Sequence, residues 1–312
     1  MRGKIVLLLL LIFPISVTAL NNSSLAFFGE SSGMGPISLE GNDLLIMPKM
    51  SFPEGTIGME LIDRIPVYSL NQSIIGAFLS PLQAGASNIS VCISPFNLSF
   101  YLTGNRGTGD FSGKECAKTS PISNGSTNSN GTSFLLSSSS SGMYSLNFID
   151  ENNSSVLVAM PLLITEGQTV LQMPSIVKAE EPFIQVNMNT TAPGNQSKFF
   201  AAIMISRKDY ENASLGIAKN ETTNNLDLNL SLGSKSLLIR GPPKISSELL
   251  MNLLPLLPAN SAVGLQESTQ PGVDLILLTD KPWEKGEYIL TGGIYSPGKG
   301  LLGIKQSVVE VI

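Results

Sequence analysis

Histidine is absent from all 312 residues. Its absence removes the usual general base near neutral pH, the commonest metal ligand and every Ser/His or Cys/His nucleophile pair. Cysteine occurs only at Cys92 and Cys116, too few for a Cys-built zinc or iron site. Charged residues make up only 14% of the chain, with no Lys/Arg cluster, so nucleic acid and anionic lipid are poor partners. Tryptophan occurs once and tyrosine six times. A ligand face for carbohydrate or envelope polymer would therefore have to draw on Trp283, Tyr288 and Tyr295. The expectation is a protein with no catalytic residues, no metal and no cofactor.

What the chain has in excess is the Asn-x-Ser/Thr acceptor for N-glycosylation. Fourteen such sequons begin at Asn21, Asn22, Asn71, Asn88, Asn97, Asn124, Asn130, Asn152, Asn153, Asn189, Asn195, Asn212, Asn220 and Asn229. With 23 Asn and 57 Ser or Thr, random order would place only about four. Glycans are bulky and confined to exposed positions, so the excess points to an exported, sugar-coated chain.

The first 19 residues agree with export. Arg2 and Lys4 precede the apolar run Ile5–Phe13, Pro14 breaks it, and Val17, Thr18 and Ala19 offer a small-residue cleavage site, the layout of a signal peptide. The apolar stretch is shorter than the roughly 20 residues of a spanning helix; the alternative is an uncleaved N-terminal anchor, the one route to membrane contact. Removing residues 1–19 leaves 17 basic and 24 acidic residues, a formal charge of −7. In an exported chain two cysteines favour one disulfide. Ile89, Val91 and Ile93 alternate with Asn88, Ser90 and Cys92, which predicts Cys92 on the glycan-bearing side, stapling the Gly-rich stretch 104–113.

Most of the remaining sequence alternates apolar and polar residues, the pattern of half-buried antiparallel strands. Leu226, Leu228, Leu230 and Leu232 alternate with Asp227, Asn229 and Ser231; Leu98, Phe100 and Leu102 with Asn97, Ser99 and Tyr101; and Ile184, Val186 and Met188 with Gln185, Asn187 and Asn189. Apolar runs at 155–165, 199–206, 273–279 and 301–311 complete an all-β reading. A Gly-x-Tyr-x-Leu phrase occurs at Gly142, Tyr144 and Leu146 and again at Gly286, Tyr288 and Leu290, each leading through a turn into a second apolar run. Each reads as the final hairpin of an immunoglobulin-like sandwich, with Tyr144 and Tyr288 placed for a tyrosine-corner hydrogen bond.

The expected architecture is two immunoglobulin-like β-sandwich domains in tandem, one short helix lying in the second. The N-terminal domain covers 20–173, 174–182 is a Pro- and charge-marked linker, and the second domain covers 183–312. Residues 119–141 hold 13 Ser or Thr in 23 positions and read as a flexible loop. The helix is expected at Ser246–Leu254, before Pro255.

Other patterns carry little chemistry. Gly298, Gly300 and Gly303 satisfy G-x-G-x-x-G, but the following residues are strand-like, whereas a phosphate site needs a helix there; a hairpin turn is expected. The carboxylate pairs Asp150/Glu151, Glu180/Glu181, Asp209/Glu211 and Glu284/Glu287 are glycosidase candidates by proximity only. Asp150–Asn153 offers oxygen ligands without the spacing of a calcium loop.

The run Phe199–Ser206 continuing to Asp209, Tyr210 and Asn212, then Leu253–Pro258, Lys281–Trp283 and Tyr295–Lys305, together with the sequon load, resembles a family of methanogen extracellular proteins of unknown function. The resemblance covers roughly residues 140–312 and implies an archaeal surface or secreted setting, with the S-layer as context. It brings no activity. The expected role is structural or adhesive at the cell envelope, the alternative being a carbohydrate- or polymer-binding module. No sequon follows Asn229, so residues 232–312 are the expected contact region for other envelope proteins.

Overall fold

The computed structural model describes residues 37–40, 43–46, 49–51, 64–79, 89–95, 115–118, 120–122, 131–138, 140–151, 155–219, 226–232, 234–240, 257–278, 282–297 and 299–312. The first half holds β1 (Ile37–Glu40), β2 (Asp43–Ile46), β3 (Lys49–Ser51), β4 (Arg64–Ser69), β5 (Ile74–Leu79) and β6 (Ile89–Pro95). They are followed by β7 (Glu115–Lys118), β8 (Ser120–Ile122), β9 (Gly131–Leu136), β10 (Gly142–Asp150) and β11 (Ser155–Thr165). The second half runs β12 (Thr169–Gln172), β13 (Ile176–Val177), β14 (Phe183–Thr190), β15 (Lys198–Ser206) and the helix α1 (Arg207–Glu211). It continues as β16 (Ser214–Lys219), β17 (Leu226–Leu232), β18 (Lys235–Arg240), β19 (Ala262–Ser268), β20 (Gly272–Leu278), β21 (Gly286–Ser296) and β22 (Gly300–Val311). The chain is all-β.

It divides into two compact units. One takes the residues from 19 to 43 and 54 to 164; the other takes 44 to 53 and 165 to 312. In the first, one sheet runs β1-β5-β9-β8 and the other includes β4-β11-β10-β6-β7. With β1 as strand A, β4 as A′ and β5 through β11 as B, C, C′, D, E, F and G, these orders are A-B-E-D and A′-G-F-C-C′. That division between two sheets defines an immunoglobulin-like sandwich. Phe134 on β9 meets Phe148 on β10 edge to face, centroids 5.6 Å apart, and so joins the two layers. Gly76 on β5 makes room for it: a Cβ there would lie 2.5 Å from Phe134 Cζ.

The second unit repeats the plan. Its eight-stranded sheet runs β12-β14-β20-β19-β15-β21-β22-β13, which reads A-B-E-D followed by C-F-G-A′. The D strand, β19, pairs with both β20 and β15 and carries the sheet from one layer into the other. The core between the layers includes Val186, Met188, Phe200, Met204, Leu275, Leu277, Trp283, Tyr288, Leu290 and Val309. Strand β14 alternates buried Ile184, Val186, Met188 and Thr190 with Phe183, Gln185, Asn187 and Asn189 on the outer face. Its inner row is the predicted one. Between C and D the chain adds a small sheet, β18-β17-β16-β3, in which β3 pairs parallel to β16.

Both final hairpins form as the repeated phrase predicts. Strand β10 pairs with β11 and β21 with β22, and each pair carries one register shift. Of the glycine-rich phrase, Gly300 opens β22 at φ +91° and Gly303 lies within that strand, so a hairpin strand and not a helix follows the glycines.

Three expectations are corrected. Residues 119–141 are not one flexible loop: they hold β8 and β9, and Phe134 and Leu136 are buried. The Ser/Thr excess hid two apolar side chains spaced by two, enough to seat a strand on the core. Residues 174–182 are not a linker. Strand β13 pairs with β22, Ala179 N–H donates to Ile312 O, and Trp283 Nε1 donates to Glu181 O. The division between units falls at Thr165, because Pro and charge mark turns within a domain as readily as boundaries between domains. Cys92, third, is buried. The helix expected at 246–254 and the strand expected near Leu98–Leu102 lie outside the described residues, as do residues 1–19. Among the described residues the helix is α1, N-capped by Ser206, whose Oγ accepts from Asp209 N–H at 3.1 Å. Among the described residues no helix is long and apolar enough to cross a membrane.

Candidate functional site

The three aromatics of the predicted ligand face are core residues. Trp283, Tyr288 and Tyr295 are 3%, 1% and 5% exposed. Trp283 stacks edge to face on Tyr288 at 5.6 Å. The Tyr288 hydroxyl accepts from Glu284 N–H at 3.1 Å, the upstream backbone contact of a tyrosine corner. Burial raises the pKa values of Tyr288 and Tyr295, and that of fully buried Tyr210 well above the usual phenol value. Tyr144 makes the matching corner in the first unit, donating from its hydroxyl to Ser140 O at 2.9 Å.

Cys92 and Cys116 form a disulfide across the directly paired strands β6 and β7. It lies within one sheet, unlike the inter-sheet bridge of antibody domains. Ser90, Cys92, Ser145 and Asn147 are all buried on the polar face of β6 and β10. There Asn147 Nδ2 donates to Ser94 Oγ at 3.0 Å and Ser145 Oγ to Asn147 Oδ1 at 3.1 Å. The alternation was read correctly, but it fixes which side chains share a face and not whether that face is wet.

The candidate carboxylates whose side chains are described are spent on structure or left in solvent. Arg207 bonds both Glu211 (2.9 Å) and Glu287 (2.6 Å), and these two hydrogen bonds hold its guanidinium pKa up. Asp209 accepts from Ser206 Oγ at 2.6 Å. Glu151, Glu180 and Glu181 are exposed. No group of three metal-ligating side chains occurs among the described residues.

Five sequon asparagines are described. Asn71, Asn195, Asn212 and Asn229 are exposed, and Asn189 is half-buried. Asn88, Asn97, Asn124, Asn130, Asn152, Asn153 and Asn220 lie outside the described residues, as do Asn21 and Asn22.

The feature that reasoning from sequence missed is the outer face of the β12-β14-β20-β19 layer. Phe183 pairs with Leu278, Gln185 with Ile276, and Leu278 with Val263. Phe183, Leu265, Ile276 and Leu278 are between 49% and 65% exposed. Further along the same face the residues are polar. Asn187 Nδ2 donates to Asp274 Oδ1 at 2.9 Å, and Asn189 Nδ2 to Asn187 Oδ1 at 2.6 Å. The outward positions of β20 carried the signal, since Ile276 and Leu278 break the alternation that Asp274 begins. Of the described strands in 232–312, β20 and β19 lie between β14 and β15, β21 and β22 on the far side of β15, and β18 in the small sheet.

No known protein family matches the chain, and no curated protein does. Among solved structures, the D0-D1 domain of intimin aligns over 78% of this chain and 93% of its own, at 12% identity and a TM-score of 0.25. Dimeric latent PorU from Porphyromonas gingivalis aligns over 89% of this chain and 20% of its own, at 9% identity and a TM-score of 0.21. The immunoglobulin-like assignment rests on the strand orders of the two units.

Proposed function

We propose that this is an exported, N-glycosylated, non-enzymatic protein with a structural or adhesive role at an archaeal cell surface, in association with the S-layer. The observation that carries the reading is the exposed apolar half of the β14-β20-β19 face. Contiguous apolar surface on a sheet that faces solvent marks contact with another macromolecule, and here the partner is another envelope protein. The sequon load supports a glycosylated exterior, and the Cys92–Cys116 bridge fits an oxidising compartment. The carbohydrate-binding alternative has lost its candidate residues, because Trp283, Tyr288 and Tyr295 have no face to offer a sugar. Surface biotinylation of intact cells, envelope fractionation and intact-mass measurement test the proposal. Labelled, envelope-bound protein heavier than its sequence is expected, released from the envelope by Ile276→Ser with Leu278→Ser. A cytosolic protein of unmodified mass would overturn it.

A further inference from the structure

The described sequons are not equivalent, and the difference is chemical. N-glycosylation joins the Asn carboxamide nitrogen to C1 of a sugar. The C1–O bond to a lipid-linked phosphate breaks, the phosphate leaves with the electron pair, and the amide gives up one proton. The nitrogen must therefore be reachable, and the hydroxyl two residues on must be free to be recognised.

Asn71 meets both conditions. It sits at φ +66° in the turn between β4 and β5, a conformation that asparagine tolerates better than most residues. The turn is held by its neighbours: Ser69 N–H donates to Gln72 Oε1 and Gln72 N–H to Ser69 O, both at 2.9 Å. The Asn71 side chain takes no part in these bonds, and both Asn71 and Ser73 are exposed.

Asn189 is half-buried, and although Thr191 is exposed, the polar groups of both residues are already engaged. Asn189 lies in the middle strand of three, with Val170 on one side and Gly272 on the other. Its Nδ2 donates to Asn187 Oδ1 at 2.6 Å. Its carboxamide oxygen rests on Gly272 so closely that a Cβ there would be 1.7 Å from it. The hydroxyl of Thr191, the residue two positions on, accepts from Gln168 N–H at 2.9 Å. Both ends of this sequon already stitch the sheet, and a pyranose on Nδ2 would have only the N–H not given to Asn187, on a carboxamide pinned by its oxygen against Gly272.

We propose that Asn71 is a glycan acceptor, donated to from a lipid-phosphate-linked sugar, and that the Asn189 sequon stays unmodified as part of the sheet. This rests on the reading of the protein as glycosylated. Glycopeptide mass spectrometry of protein purified from its native envelope, with intact masses of Asn71→Gln and Asn189→Gln made in the same host, tests it. The expected result is sugar on Asn71 and none on Asn189. Asn71→Gln then loses the mass of one glycan, whatever strain Gln adds at that positive φ, while Asn189→Gln keeps its glycan mass and melts a few degrees lower, about 2–4 °C. Sugar on Asn189, or a bare Asn71 in protein glycosylated elsewhere, overturns this assignment alone. Protein without sugar at any site overturns it together with the glycosylated reading.

Discussion

Trp283 and Tyr288 meet with their ring planes at 89°, while the indole Nε1–H reaches Glu181 O at 2.9 Å. One pair of rings thus ties the start of the F strand to the segment that leads into β14. Trp283→Ala is expected to cost about 3–5 kcal/mol through the cavity it leaves. Tyr288→Phe, which only strips the acceptor from Glu284 N–H, is expected to cost about 1–3 kcal/mol. Urea unfolding of the purified variants measures both.

Gly76→Ala places a methyl against the ring of Phe134, whose nearest atom would be 2.5 Å away. Overpacking of this kind costs about 1–3 kcal/mol, and Gly76→Ala combined with Phe134→Leu is expected to recover part of that loss. A double-mutant cycle by thermal melts reads the coupling.

Removing the disulfide with Cys92→Ala and Cys116→Ala frees a loop of 24 residues. The chain-entropy account gives a loss of about 3–4 kcal/mol, seen as a lower unfolding midpoint in urea. Reduction of the wild type is expected to give the same midpoint.

Alkali acts through the buried phenols. The pKa values of Tyr210 and Tyr288 are raised by burial, so the unfolded chain gives up these protons at lower pH than the fold does. The stability is fully present below the ordinary phenol value of about 10 and is lost as pH rises from there through the raised values. Melting temperature against pH, followed with tyrosinate absorbance, is expected to fall above that point, and less steeply for Tyr210→Phe.

The exposed ion pairs of Arg207 contribute little by comparison. Its side chain and those of Glu211 and Glu287 are each about half exposed, and such pairs are worth about 0–1 kcal/mol. Arg207→Ala is expected to leave the urea midpoint almost unmoved.

The sequence announced the strands wherever one face is apolar and the other polar, as in β14, and the Tyr-bearing hairpins through a phrase whose spacing fits a corner. It could not announce exposure. Ser90, Cys92 and Asn147 have the polarity of surface residues and are buried instead, Cys92 in the disulfide and Asn147 bonded to Ser94 and Ser145. Three aromatics near one hairpin suggested a ligand face, yet Trp283 and Tyr288 satisfy their polar atoms on backbone groups and so can be buried. The helix α1 was legible in principle, since Ser206 three residues before Asp209 is a capping pattern; its five residues were too few for a period to show.

Strand β3 left no local trace at all. Lys49, Met50 and Ser51 add to the free side of β16 about 165 positions later in the chain. On the ribosome these three residues must wait, unpaired, for more than half of the protein to be made. A fragment beginning at Thr165 would carry that side of β16 bare, open to any passing strand. The protein thus holds a ligand for its own second half within its first sixty residues, and a peptide spanning 44–53 should bind that fragment in the manner of a missing staple.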